Sequence, residues 1–166
     1  MARLFCAAAL VCGAQVLPVH AQDGADWKFE LPHLDGTHFV SSAALQGPVL
    51  VNFWSKSCPP CMAEMPRLRN FVHAHAQWTL VLVTADEPFD AAQVLNRLGP
   101  WPVGRTLPLR AGLGLQSLMR SAGNHRGALP FSLVLHQGKQ CASHTGEVME
   151  KTLEHWQLMC APAGER

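Results

Sequence analysis

The chain is poor in charge and has no excess of either sign. Charged side chains make up 15% of its 166 residues, 13 basic against 12 acidic. Nucleic acids and anionic membranes are held by clustered Lys and Arg, so neither is expected as a partner. A second C-x-x-C is missing, as is any H-x-x-x-H. A cysteine pair here therefore lacks the further ligands of a closed zinc site. Internal repeats, low-complexity tracts and linkers are missing too, which favours a single domain.

The N-terminus stands apart. Arg3 is a minimal positive region, and residues 4–17 are rich in Ala, Leu, Val and Cys. That stretch is short for a membrane span. Val19 and Ala21 supply the small residues of a cleavage site before Gln22. We read 1–21 as a signal peptide and 22–166 as one domain. An uncleaved anchor is the alternative. A lipoprotein fits less well, because Val11 precedes Cys12. Arg3 is the only charged residue removed, so 12 basic and 12 acidic residues remain. Export places the chain in the periplasm, where disulfides persist.

The most informative feature is Cys58-Pro59-Pro60-Cys61. It follows the apolar run Val49-Leu50-Val51-Asn52-Phe53-Trp54 and precedes a helical pattern. A dithiol at a strand-to-helix junction reads as redox-active. A sulfur at the helix start meets unpaired N–H groups and the positive end of the dipole. Cys58, nearer that start, is the expected nucleophile; Cys61, one turn in, would resolve the mixed disulfide. Glu64 follows three residues later on the same helix face. It is either a proton relay for the buried thiol or a solvated acid.

The pattern predicts an N-terminal hairpin of 27–31 and 37–40 around Asp35-Gly36, one helical turn over 41–45, and a buried strand over 49–54. A helix over 59–76 should kink at Pro66 and bury Met62, Met65, Leu68 and Val72. A strand over 78–84, a helix over 86–98, an irregular loop over 99–104, a short strand over 106–109 and a weak helix over 113–121 follow. The chain ends in a hairpin of 131–135 and 140–145 and a helix over 148–159, with Met149, Leu153, Trp156 and Cys160 on one stripe. This is an α/β order, a mixed sheet flanked by helices.

With the dithiol on the first long helix, the chain resembles the exported TlpA/ResA-like thioredoxins, a group that includes cytochrome c biogenesis reductases. The matching residues are 49–54, Cys58 to Cys61, Glu64-Met65-Pro66, Leu129-Pro130-Phe131 and Gly138; the Asp35-Gly36 hairpin matches the group's N-terminal extension. The resemblance covers nearly all of 27–158, with 86–125 matching in outline. It implies a thioredoxin fold and a cis bond at Leu129-Pro130, which would let the backbone of Leu129 pair with an extended peptide. Ser57 departs from the tryptophan the family carries before the first cysteine, which changes the docking surface around Leu129, Pro130 and Ser57. Asn52 stands where cytoplasmic thioredoxins keep a buried acid, so acid–base help falls to Glu64.

These readings define a periplasmic thiol–disulfide oxidoreductase that needs no cofactor and no metal. Pro59-Pro60 remove two N–H donors and add no cation, which leans towards a reductase; Lys56 leans mildly the other way. The family implies apocytochrome c as substrate and a membrane dithiol as electron donor, and a monomer is expected. The alternatives are a Cu(I) metallochaperone using the same thiols and a disulfide-donating oxidase. His73 and His75 could suggest copper, but such a pair near a helix end is usually surface. Trp101 is either a partner-reading residue or a loop anchor.

Cys141 and Cys160 are expected to pair. The chain leaves Cys141 along a strand and returns along a helix of nearly equal rise, so the ends should meet. Two buried free thiols are the alternative.

Overall fold

The computed structural model describes residues 25–161. The expected signal segment and its cleavage site lie outside them. The fold is built on β3 (Pro48–Trp54), whose seven residues are all buried. An apolar strand of this kind needs cover on both faces. It pairs in parallel with β4 (Thr79–Thr84) and antiparallel with β6 (Phe131–His136). β4 carries β5 (Thr106–Arg110) in parallel, and β6 carries β7 (Lys139–Thr145) antiparallel, giving the order β5-β4-β3-β6-β7. The expected mixed α/β sheet is what forms.

Alternation along β3 divides the core. Leu50 and Trp54 face a layer that holds Met65, Leu68 and Val72 of α1 (Pro59–Ala74), Ala91 and Leu95 of α2 (Pro88–Arg97), and Leu153 and Trp156 of α4 (Glu150–Cys160). Val49, Val51 and Phe53 face Leu115 and Met119 of α3 (Leu115–Ser121), together with Trp27 and Phe29. The chain therefore lines both faces, as its helix and strand periods require.

The N-terminal hairpin is present but shorter than expected: β1 (Glu30–Pro32) pairs antiparallel with β2 (Phe39–Ser41). Trp27 and Phe29 stay outside the strand. The backbone of Phe29 instead bonds Ser42, its N–H reaching Oγ at 3.1 Å and its carbonyl accepting from the Ser42 N–H at 2.9 Å. Gly47 carries φ +69°, and a Cβ there would lie 2.9 Å from the Gln77 carbonyl, so only glycine fits this turn into β3.

α1 continues through Pro66. The missing N–H leaves the Met62 carbonyl without its helical donor, but Pro66 is exposed, so water can reach it. One apolar stripe is corrected. Met149 is the N-cap of α4, extended and 52% exposed, while Val148 is fully buried. Val148 and Leu153 hold the positions of a hydrophobic staple and belong to one buried cluster. Sequence spacing alone assigned Met149 to the stripe; the helix begins one residue too late for it.

The sulfurs of Cys141 in β7 and Cys160 at the end of α4 are bonded, with Cα atoms 6.0 Å apart. The bridge ties the last helix to the edge strand across 19 residues of chain. Replacing both with alanine should lower unfolding free energy by on the order of 3 kcal/mol in denaturant titrations. A change within about 0.5 kcal/mol, the range of ordinary surface substitutions, would mean the bridge constrains nothing.

Candidate redox site

The chain leaves β3 at Trp54 and turns into α1 through residues 55–58. Asp86, in the loop between β4 and α2, holds this turn: Oδ1 accepts from Ser55 Oγ at 2.9 Å and Oδ2 from the Lys56 N–H at 2.5 Å. The Lys56 ammonium is paired with Asp90 of α2. Its charge is therefore engaged by a carboxylate. Ser57 is exposed, its N–H and hydroxyl both directed at Ser55 Oγ.

Cys58 is the N-cap of α1, and its sulfur accepts from the Cys61 N–H at 3.3 Å. Pro59 and Pro60 fill the first helical positions without donors. The Cys61 N–H is thus the first-turn donor that reaches this sulfur. Cys58 and Cys61 are joined, Cα to Cα 5.3 Å. Cys61 is completely buried and Cys58 only partly so.

Glu64 is not a solvated acid. It is completely buried on the same helix. Oε1 accepts from Asn52 Nδ2 at 2.7 Å, and Oε2 accepts from the Val148 N–H at 2.6 Å. Burial pushes its carboxyl up to about 7, against the pull of the Val148 and Asn52 donors; Glu147 adds to the rise and Arg67 opposes it. Arg67 bonds both the Glu147 carboxylate at 3.0 Å and the Val148 carbonyl at 2.8 Å.

The Leu129–Pro130 bond is cis. Pro130 lies one step beyond the Phe53–Phe131 pair, opposite the end of β3 from which the dithiol turn departs. Its carbonyl accepts from the Gly146 N–H at 2.8 Å. Leu129 packs against the same buried cluster as Cys58. The structure thus brings Cys58, Cys61, Glu64, Leu129, Pro130 and Ser57 to one end of the sheet.

Other candidates fall away. His73 Nε2 lies 3.3 Å from the Pro100 carbonyl and the His75 ring packs on Phe71, so the pair is split between partners. Trp101 donates Nε1–H to the Leu95 carbonyl at 3.0 Å and anchors its loop. A groove of about 460 Å3, lined by Leu34, Ala92, Leu95 and Trp101 among others, includes none of the dithiol residues. Sequence reading missed a cluster at the hairpin tip, where ligand atoms of His33, Asp35 and His38 lie within 4.8 Å of one another. The Asp35 Oδ1 atom there already accepts from the Thr37 N–H and hydroxyl, the ordinary bonding of an Asx turn. It also missed Ser132, whose Oγ accepts from Asn52 Nδ2 at 2.9 Å. A lone hydroxyl in the apolar run of β6 was the available signal.

A mixed sheet with a C-x-x-C at the start of a helix and a cis-proline opposite defines a thioredoxin-fold oxidoreductase. The comparisons agree: the chain belongs to the AhpC/TSA family, whose model matches residues 24–160. It is similar to the thiol-disulfide oxidoreductase ResA of Halalkalibacterium halodurans, 25% identical over 142 residues, covering 81% of this chain and 74% of that protein. Among solved structures it resembles a thioredoxin-related protein of Neisseria meningitidis serogroup B (28% identity, TM-score 0.63, 76% of this chain and 94% of that one). A thiol:disulfide interchange protein of Chlorobium tepidum shares the fold (22% identity, TM-score 0.66, 84% and 97%). The chain is a thiol–disulfide oxidoreductase, with ResA among the proteins it is similar to.

The raised carboxyl carries a sign. Folded Glu64 keeps a proton up to about pH 7, whereas the unfolded chain releases it near 4.5. The linked stability is fully present below pH 4.5 and is lost as pH rises through 7, roughly 3 kcal/mol in all. Denaturant unfolding of the oxidised protein should show this decline between about pH 4.5 and 7, and Glu64→Gln should flatten it. An equal slope in both proteins would contradict the assignment.

Proposed function

We propose that the chain is an exported reductase of protein disulfides, with Cys58 as nucleophile, Cys61 as resolving thiol and Glu64 as its proton acceptor. The observation that carries this reading is the buried carboxylate one turn from the buried thiol, on a helix whose first turn offers the outer sulfur a single N–H. A strongly oxidising dithiol needs a well-stabilised thiolate; here two prolines withhold donors and Lys56 is turned to Asp90.

The steps balance. The Cys58 thiolate attacks a substrate disulfide, forming a mixed disulfide and releasing one substrate thiolate. Cys61 gives its proton to Glu64 and attacks the Cys58 sulfur. The second substrate thiolate leaves, and the enzyme holds the Cys58–Cys61 disulfide. Two electrons have passed to the substrate, and its two thiolates take up protons. A dithiol donor in the membrane then returns the enzyme to the reduced state by the same exchange.

Export, a signal peptide at residues 1–21 and the domain 22–166 belong to this proposal. The second cysteine pair supports an oxidising compartment. Among the described residues, no helix is long and apolar enough to cross a membrane. The substrate is an exported protein presenting an extended segment to Leu129 and Pro130, with apocytochrome c as the candidate. The enzyme acts as a monomer and needs no cofactor.

In cells, Cys61→Ser should accumulate mixed disulfides through Cys58, with exported thiol proteins as the trapped partners. Adducts that form with Cys58→Ser and not with Cys61→Ser would reverse the roles. Stoichiometric copper on the reduced protein, with no insulin reduction, would replace the reading with metal carriage. In the reduced protein, limiting iodoacetamide should label Cys58 before Cys61, because the outer sulfur is the accessible one. Preferential labelling of Cys61 would count against the mechanism.

A further inference from the structure

Asn52 is held where it must respond to the charge of Glu64. The Oε2 atom accepts from the Val148 N–H at 2.6 Å. A backbone N–H cannot be exchanged for an acceptor, so a proton arriving on Glu64 belongs on Oε1. There it meets Nδ2 of Asn52 at 2.7 Å, donor against donor. The same Nδ2 also donates to Ser132 Oγ at 2.9 Å. The Asn52 Oδ1 atom is buried and has no protein donor among the described residues. An amide keeps its outline when its oxygen and nitrogen exchange places, and a serine hydroxyl can donate as well as accept.

We propose that Asn52 is a positioning residue that follows the proton on Glu64. With the carboxylate ionised, Nδ2 donates to Oε1 and to Ser132 Oγ. With the carboxyl protonated, the amide turns half over, and Oδ1 accepts from the Glu64 and Ser132 hydroxyls together. The amide makes two hydrogen bonds in either state and leaves one end unpaired in either state. Packing does not choose between them; the proton does.

The surroundings allow both states. Arg67 on α1 and Glu147 ahead of α4 are the charged groups near Glu64, and they pair with each other at 3.0 Å. From β3 the group that faces it is the neutral Asn52, which in turn bonds the neutral Ser132 of β6. Cys58 and Cys61 head the same helix. Burial holds the Glu64 carboxyl at about 7, so neither state is remote near neutral pH. The inference rests on Glu64 as the proton acceptor of the resolving step, and it extends that step outward. The proton leaving Cys61 is registered on Ser132, two residues beyond the cis-proline.

Side-chain NMR on isotope-labelled, oxidised protein between pH 5 and 9 tests this. The Glu64 carboxyl carbon and the Asn52 side-chain amide should shift with one midpoint. Cross-relaxation between the Asn52 amide protons and the Ser132 β-protons should be present above that midpoint and lost below it. In Glu64→Gln the Asn52 signals should stay flat. Cross-relaxation that persists across the titration, or an Asn52 transition that survives Glu64→Gln, overturns the proposal. Should Glu64→Gln fail to fold, the wild-type pattern decides. The reading of Glu64 as proton acceptor fails separately, if Glu64→Gln leaves the pH–rate profile of the reduced protein unchanged.

Discussion

A carboxylate taken out of water must be answered by donors, and Glu64 is answered from two directions. Asn52 reaches it from the central strand, and the Val148 N–H reaches it from the turn into the last helix. Three parts of the chain meet at one side chain: α1, which carries the dithiol, β3, which delivers it, and the start of α4. Arg67 binds the same turn through Glu147 and the Val148 carbonyl. Removing one partner of such a buried set strands the others. The network therefore fixes how α4 lies against α1, the helix that also carries Cys61.

The dithiol is tuned by what its first turn withholds. A cysteine at a helix start gains most when several N–H groups converge on its sulfur. Here two prolines occupy those positions, and the Cys61 N–H reaches Cys58 at 3.3 Å. The cation that could have helped is bound to Asp90. A carboxyl lying at about 7 can take a proton from a thiol and give it back over the same pH range. Each of these features weakens the thiolate or eases its protonation, and together they support the proposed reductase direction. The Cys141–Cys160 bridge, at the far end of α4 and bonded to the edge strand, keeps the other two thiols out of exchange.

Much of the fold was legible because period and punctuation agreed. The apolar run of β3 and the helical spacing of Met65, Leu68 and Val72 each pointed to the element that forms. Boundaries were less legible where a side chain competed with the backbone, as Ser42 does at Phe29. Met149 was misread because helical spacing does not say where the first turn begins. At the site, the sequence supplied the cysteines and raised Glu64 as one of two possibilities. It could not show that Glu64 is buried, because burial depends on α4, more than eighty residues further along the chain by register with Val148. The roles of Ser132 and Asp86 were not legible for the same reason: each matters through a partner distant in sequence, and the lone hydroxyl in β6 marked Ser132 without naming that partner.

The direction of electron flow is the central claim, and the equilibrium reduction potential of the Cys58–Cys61 pair tests it most directly. Glutathione or dithiothreitol redox buffers, read by alkylation of the released thiols, would give the value with the Cys141–Cys160 bridge intact. A weakly stabilised thiolate predicts a potential near or below that of thioredoxin, about −270 mV. A value close to the strongly oxidising end of this fold, about −120 mV, would contradict the account.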